Sequence, residues 1–153
     1  MEDNSGLKRH MMKPRFGVSE KTLTPLLAGY RLASFDEEAF SRHPFDHGTR
    51  YRDYEAFAES GAGAVVWSGG EIVASASSFL TYENHVELDV STAPDHRRKG
   101  LADHCVFQML AECAEKGLTV HWDAQNQPSY RMALSHGFAF EEDYAVYVLN
   151  KAL

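Results

Sequence analysis

The chain has 153 residues, of which 44% are hydrophobic and 24% are charged, and its formal net charge is −7. This is the length and composition of one globular domain, which excludes collagen, a coiled coil and a wholly disordered chain. The negative charge argues against nonspecific nucleic-acid binding, which depends on neutralising phosphates, and favours a cationic partner.

The first 25 residues are predicted to form a flexible or partly ordered N-terminal arm (residues 1–25), and residues 26–153 to form the domain. The arm is expected to be loose because its residues are polar, mixed in charge and without helical or strand periodicity. Three elements are predicted after it: a strand at 30–33, a helix at 36–41 with Asp36 as N-cap, and a helix at 51–59. The second helix would place four residues on one face: Tyr51, Tyr54, Phe57 and Ala58.

The middle of the chain begins with a hairpin signal, because Ala64–Trp67 and Ile72–Leu80 flank Ser68-Gly69-Gly70. His85–Thr92 then alternates apolar and polar residues, which predicts a half-buried strand. The remaining predicted elements are a long amphipathic helix that ends at Lys116-Gly117, a strand at 119–123, a helix at 128–136 and one or two strands at 138–149. This order predicts a mixed α/β domain.

Two features of the sequence bear on its location. Cys105 and Cys113 lie on the long predicted helix, about 12 Å apart along its axis, which is too far for a disulfide. The absence of a disulfide framework fits a reducing compartment. The first twenty residues hold no apolar signal-peptide core, and no run approaches the ~20 apolar residues of a membrane span. We therefore expect a cytoplasmic protein with no membrane partner.

A basic loop, Pro94-Asp95-His96-Arg97-Arg98-Lys99-Gly100-Leu101-Ala102, joins the strand at 85–92 to the long helix. The first N–H groups of a helix lack partners within it and carry partial positive charge, so this end binds phosphate. Arg97, Arg98 and Lys99 add full charges, and the small residues at 100 and 102 let a ligand approach the backbone. A solvated basic turn is the alternative, and the phosphate-loop NTPase pattern is absent.

Two motifs stand in order along the chain: Arg97-x-x-Gly100-x-Ala102 after a strand, and Asn126-x-x-Ser129 followed by Gly137-Phe138. With these motifs the chain resembles the GNAT superfamily of N-acetyltransferases over roughly residues 26–150. The resemblance implies the GNAT fold, an α/β architecture with a mixed central sheet of six to seven strands flanked by about four helices.

The resemblance also implies acetyl-CoA as a co-substrate and suggests its contacts. The backbone of Val90, Ser91 and Thr92 would pair with the pantetheine arm like an added strand. The loop and the first helical turn would cradle the pyrophosphate through Arg97, Arg98, Lys99, Gly100, Leu101 and Ala102. Asn126 would bond the pantetheine or neighbouring backbone, and Ser129 would lie near the cofactor.

The resemblance also points to candidates for the general acid and the general base of the reaction. Many GNAT enzymes carry a Tyr as general acid four residues before the Gly of the second motif, where this chain has Ala133. Tyr130, one turn earlier, is the candidate substitute, with packing or solvent exposure as its alternative. Glu87 is the candidate base, preferred to Asp89 on the same face, because the attacking amine must lose a proton. The alternative is that both carboxylates have no catalytic role and lie on the solvent-exposed side of the sheet.

The expected function is transfer of acetyl from acetyl-CoA to a primary amine by direct attack in a ternary complex. The acceptor would be a small-molecule or protein amine, and the acidic residues near the last strands, Glu141, Glu142 and Asp143, favour a cationic one. Three alternatives stay open: a catalytically degenerate GNAT-fold module that binds acyl-CoA to regulate or scaffold, a longer acyl donor accommodated by Ala74–Ser77, and an interaction domain with a basic turn.

No metal is predicted, because His43 and His47 have ligand-like spacing without a third and a fourth ligand. The sequence leaves the oligomeric state open, and a homodimer is one outcome.

Overall fold

The computed structural model describes residues 7–14, 23–45, 51–124 and 127–146. Within these ranges the chain forms seven β-strands and four α-helices, which confirms the α/β class. The residues divide into two compact units, one of residues 22–120 and one that joins residues 1–21 to residues 121–153.

The elements are, in chain order, β1 (Leu7–Pro14), β2 (Tyr30–Ser34), α1 (Glu37–Arg42), α2 (Tyr54–Ser60), β3 (Gly63–Ser68), β4 (Glu71–Tyr82), β5 (His85–Thr92), a 3-10 turn (Pro94–His96), α3 (Leu101–Lys116), β6 (Thr119–Ala124), α4 (Gln127–Ser135) and β7 (Phe138–Val146). None of the helices in the described ranges is long and apolar enough to cross a membrane.

The unit of residues 22–120 is built on an antiparallel meander in which β2, β3, β4 and β5 pair in sequence order. The predicted hairpin is confirmed: Gly69 takes φ +63° in the turn that joins β3 to β4, a conformation that glycine adopts at little cost. Residues 72–78 of β4 are all buried, so both faces of this strand are covered. The small side chains at 74–77 belong to this core.

The two faces of the meander carry different helices. Val65, Trp67 and Ile72 pack on one face with Ala39 of α1 and Phe57 of α2. Val66, between Val65 and Trp67, points to the opposite face because strand side chains alternate. Helix α3 contacts β3, β4 and β5, and covers that second face.

Helix α1 confirms the predicted cap, since Asp36 accepts the Ala39 N–H at 2.9 Å. The prediction for the next helix is wrong at its start. Asp53 accepts the Ala56 N–H at 2.9 Å, so α2 begins at Tyr54 and Tyr51 precedes it. That hydrogen bond to the carboxylate also lowers the pKa of Asp53. Ala58 is exposed, contrary to its predicted place on the buried face.

Helix α3 has the ends that the sequence predicts. Gly100 precedes its first residue and Gly117 follows its last, and both are left-handed, with φ +76° and +72°. Cys105 and Cys113 are free thiols on its buried face. Burial raises the pKa of Cys105 above its usual range and that of Cys113 to about 12, so both thiols stay protonated at neutral pH.

The second unit corrects the expectation of a loose arm for Leu7–Pro14. These residues form β1, which pairs antiparallel with β6 on one side and with β7 on the other. The local sequence lacks the alternation of a half-buried strand, and the pairing is supplied by segments more than 100 residues away. The core of this unit includes Trp122 and Phe138, whose ring centroids lie 5.3 Å apart.

Candidate functional site

The connection between β5 and α3 has an unusual backbone. After the 3-10 turn, Arg97 is extended, with φ −77° and ψ 162°. Arg98 takes φ +64° and Gly100 takes φ +76°. Two left-handed residues so close together make a tight turn at this point of the chain. Lys99 lies between these two residues and, like Arg97 and Arg98, is exposed.

The backbone at Gly100 is not crowded by its neighbours. A Cβ placed on Gly100 would have the Thr24 hydroxyl as its nearest neighbour, at 3.8 Å, which is ordinary contact. Leu101 and Ala102 are buried in the first turn of α3, where free helical N–H groups face the loop. The Arg97 side chain turns back toward the end of β5, because its Nε donates to the Thr92 carbonyl at 3.3 Å. The amides of the first helical turn and the exposed Arg98 and Lys99 side chains are groups of the kind that bind phosphate.

Two contacts that sequence reasoning missed hold this loop in place. The Tyr30 hydroxyl lies 2.8 Å from His96 Nδ1, and the two rings meet edge to face. His104 Nε2 lies 2.7 Å from the Thr24 carbonyl oxygen. The partners are separated by 66 and 80 positions, so no local motif could have identified them. The segment before β2 and the start of β2 thus anchor both sides of the loop.

Strand β5 carries the two candidate carboxylates on one face. Val86 and Leu88 are buried on the other face, and Glu87 and Asp89 are half-buried. Asp89 Oδ1 accepts the N–H of Val90 at 3.0 Å, which engages one backbone group predicted for the pantetheine arm. Glu87 faces Leu80 of β4 across the sheet. The predicted residues Ser91 and Thr92 are also half-buried at the end of β5.

The second motif lies in the other compact unit. Ser129 Oγ accepts a hydrogen bond from Trp122 Nε1 at 3.0 Å, which ties α4 to β6. This bond gives Ser129 a structural role within its unit. Tyr130 is half-buried, and Ala133 is fully buried at the position where the resemblance predicts a Tyr. Asn126 lies outside the described residues.

In the ranges that the structure describes, no three His, Cys, Asp or Glu side chains come together as a metal site. His43 is the described member of the pair considered above, and His47 lies outside the described ranges.

The chain matches the family model of the GNAT acetyltransferase over residues 2–147. It is 30% identical over 134 residues to the uncharacterized N-acetyltransferase YdfB of Bacillus subtilis (strain 168), covering 84% of this chain and 51% of the relative. The chain therefore spans about half the length of this curated relative.

Solved structures with a similar fold include a GCN5-related N-acetyltransferase-like protein from Streptococcus suis 89/1591. It has a TM-score of 0.77 at 24% identity, covering 94% of this chain and 63% of that protein. A GCN5-related N-acetyltransferase from Kribbella flavida has a TM-score of 0.63 at 18% identity, with 94% and 58% covered. The ribosomal-protein-S18-alanine N-acetyltransferase of Escherichia coli has a TM-score of 0.51 at 14% identity, with 81% and 98% covered. These similarities establish the fold.

Proposed function

The chain belongs to the GNAT acetyltransferase family, and from this premise we propose that it transfers an acetyl group from acetyl-CoA to a primary amine. The amine attacks directly within a ternary complex, without an acyl-enzyme. The observation that carries the proposal is the loop before α3, with its left-handed Arg98 and Gly100, open space beside Gly100 and exposed basic side chains.

This loop is the proposed holder of the coenzyme. Acetyl-CoA supplies an activated acetyl group as a thioester. The backbone from Arg98 to Ala102 would bind its pyrophosphate, with the Arg98 and Lys99 side chains adding charge. The end of β5, Val90–Thr92, would pair with the pantetheine arm. Because Asp89 accepts the Val90 N–H, this amide is available to a ligand only after that bond opens.

Glu87 is the proposed general base. An alkyl amine has a pKa of about 10.4, so at neutral pH it must lose a proton before it attacks. Glu87 is half-buried on the strand that leads into the coenzyme loop, and its carboxylate would accept that proton directly or through water. A free thiol has a pKa of about 8.5, so protonation of the leaving group is the smaller requirement. Tyr130 is the proposed acid.

The acceptor is proposed to be cationic, in keeping with the net charge of −7. It is a small-molecule or protein amine, with no nucleic-acid or membrane partner. The cytoplasmic location, the homodimer and the domain boundary at residue 26 stay predictions from the sequence.

A second candidate function is a regulatory or scaffold module that binds acyl-CoA without catalysis. The observation that favours it is Ala133, which is fully buried and carries no hydroxyl at the position where the resemblance predicts a Tyr acid. Coenzyme binding without acetylation across a broad amine panel would favour this candidate.

The longer acyl donor is a separate alternative. A panel of acyl-CoA donors of increasing chain length tests which acyl group the protein transfers.

The experiment that tests the coenzyme site compares Gly100→Asp with Gly69→Asp. Both glycines have positive φ, and neither has a neighbour closer than 3.8 Å to an added Cβ, so the two substitutions strain the fold similarly. Only Gly100→Asp places an anion in the proposed phosphate cradle. We expect calorimetric titration to give micromolar acetyl-CoA binding for the wild type and for Gly69→Asp, and at least about tenfold weaker binding for Gly100→Asp.

Equal affinity in the two variants would show that the coenzyme does not use this loop. Absence of binding to the folded wild type would contradict the proposed function.

A further inference from the structure

The segment of residues 23–29, which we call the pre-β2 segment, is tied to the rest of its unit at its end. The Tyr30 N–H donates to the Leu27 carbonyl at 3.3 Å, and Gly29 takes φ +89°, as a tight turn requires of one central residue. The Tyr30 hydroxyl then contacts His96 at 2.8 Å, directly before the basic loop. The turn therefore holds the end of the pre-β2 segment against the coenzyme loop.

The start of the pre-β2 segment is tied to helix α3. Pro25 disfavours helical backbone at the residue before it, so Thr24 belongs to an extended stretch. The Thr24 carbonyl oxygen lies 2.7 Å from His104 Nε2. A carbonyl oxygen can only accept, so His104 donates its Nε2–H in this bond. With both ends tied, the position of Thr24 relative to α3 is fixed by the fold.

The Thr24 side chain lies beside the start of α3. Its Oγ1 is the nearest atom to a Cβ built on Gly100, at 3.8 Å. Thr24 is exposed, and within the described ranges its hydroxyl has no hydrogen-bond partner. Gly100 occupies the N-cap position and has no side chain to cap the first helical N–H groups. A ligand at this place would meet both the first-turn amides and the Thr24 hydroxyl.

The charge of the loop favours an anionic ligand there. Residues 94–100 carry three cationic side chains, those of Arg97, Arg98 and Lys99, against the single carboxylate of Asp95. A threonine hydroxyl can donate its proton to a phosphate oxygen, and a hydrogen bond to a charged group is stronger than one between neutral groups. The Thr24 hydroxyl is thus a donor of the kind that a phosphate uses, held next to the proposed phosphate cradle.

We propose that the Thr24 hydroxyl binds the pyrophosphate of the coenzyme and that His104 is the positioning residue that holds Thr24 in place. This proposal rests on the proposed function, which places the pyrophosphate at the loop. Thr24 donates its O–H to a phosphate oxygen, while His104 fixes the backbone that carries this hydroxyl. The coenzyme site then combines the loop before α3 with the pre-β2 segment, about 70 positions earlier in the chain.

The first test removes the hydroxyl and keeps the shape of the side chain. We expect calorimetric titration to give about three- to tenfold weaker acetyl-CoA binding for Thr24→Val, and binding within about twofold of the wild type for Thr24→Ser, which keeps the donor. Thr119→Val is the matched control. Thr119 is exposed at the start of β6, and its N–H bonds to Asn84 before β5, at the opposite end of that strand from the loop.

The second test uses charge, because a ligand contact and a packing role predict different results. An anion beside the phosphates repels them and a cation attracts them. We expect Thr24→Glu to bind acetyl-CoA at least about tenfold more weakly than the wild type, and Thr24→Lys to bind it about two- to fivefold more tightly. A residue that only packs would give weaker binding with either substitution. The same two substitutions at Thr119 are expected to leave the affinity nearly unchanged.

The role of His104 is tested by a double-mutant cycle. His104→Leu removes the donor to the Thr24 carbonyl, and we expect acetyl-CoA binding to weaken about two- to fivefold. In the Thr24→Val background the same change is expected to have little further effect, since there is no hydroxyl left to position. His104→Gln retains an N–H donor and is expected to recover most of the affinity. Equal losses from His104→Leu in both backgrounds would contradict the positioning role.

Wild-type affinity in Thr24→Val, equal losses in Thr24→Val and Thr24→Ser, or a loss with both Thr24→Glu and Thr24→Lys would overturn the role of Thr24. If Gly100→Asp weakens acetyl-CoA binding while Thr24→Val does not, the proposed function stands and only the role of Thr24 fails. If the folded wild type does not bind acetyl-CoA, the proposed function fails and the role of Thr24 fails with it. The two failures therefore give different results.

Discussion

Arg98, in the proposed coenzyme loop, has a backbone conformation that is rare for a residue other than glycine. Among the residues that the structure describes, Arg98 and Glu83 are the two non-glycine residues at positive φ. For an ordinary side chain this conformation costs about 1–2 kcal/mol. Strained residues of this kind concentrate at functional sites, where the fold holds them in place. Arg98 lies in the proposed coenzyme loop, and Glu83 lies in the turn that joins β4 to β5.

Replacing Glu87 with Gln tests the base. The substitution keeps the shape of the side chain but removes its ability to accept a proton, so turnover is expected to fall about 10²–10⁴-fold. The coenzyme affinity is expected to stay nearly unchanged, since Glu87 lies before the residues proposed to contact it. The measurement is kcat as a function of pH for both proteins.

Asp89→Asn is the comparison for Glu87→Gln, because the two carboxylates share a face of β5. Asparagine keeps an oxygen that can accept the Val90 N–H, so a smaller loss of turnover is expected. If Glu87→Gln retains the pH–rate profile of the wild type, Glu87 is not the base.

At the scale of elements, the coenzyme loop depends on β2 as well as on the strand and helix that it joins. Tyr30 at the start of β2 bonds to His96, in the 3-10 turn, and Thr24 accepts from the first turn of α3 through His104. These two contacts hold the loop against β2 and the segment that precedes it. The phosphate site that we propose would thus be formed before the ligand binds.

Tyr30→Phe removes the hydroxyl that bonds to His96 and keeps the ring. Loss of one neutral hydrogen bond costs about 0.5–1.5 kcal/mol, so we expect acetyl-CoA to bind about two- to tenfold more weakly. Tyr54→Phe, which removes a hydroxyl on the α1–α2 face, is the control. Calorimetric titration gives both affinities. Equal affinities in the two variants would show that the Tyr30 hydroxyl does not position the loop.

At the scale of the whole molecule, β1 is the element on which the unit containing Trp122 depends. β1 lies between β6 and β7 and pairs with both, so its removal leaves two strands without a partner on that side. Unpaired backbone groups and exposed strand edges destabilise a sheet. The stability of residues 121–153 should therefore depend on residues near the start of the chain.

Deleting residues 1–14 tests this dependence. The chain has two tryptophans, so Trp67→Phe leaves Trp122, which is 2% exposed, to report on its unit. In this background we expect the deletion to shift the emission to longer wavelength and to lower the Tm. With Trp122→Phe, Trp67 is expected to respond less, because β2 and β4, which flank β3, are retained. Unchanged Trp122 emission would contradict the role assigned to β1.

The sequence by itself determined the α/β class, the hairpin around Gly69, helix α3 with its two glycine ends, and the basic loop between β5 and α3. Each of these depends on neighbours a few positions apart: the period of the apolar residues, the cap, or the left-handed glycine. The family resemblance follows from the same local motifs, and the family match confirms it. The roles that the resemblance implies for single residues in the loop and on β5 remain predictions.

Only the tertiary structure decided the rest. β1 has no strand pattern of its own, and its partners lie at the other end of the chain. Tyr30 and Thr24 contact the proposed coenzyme loop from distant positions in the sequence, and Tyr51 bonds to Ser78 of β4 across 27 positions. Pairing and packing over such separations depend on the summed burial of the whole core, which no local spacing encodes.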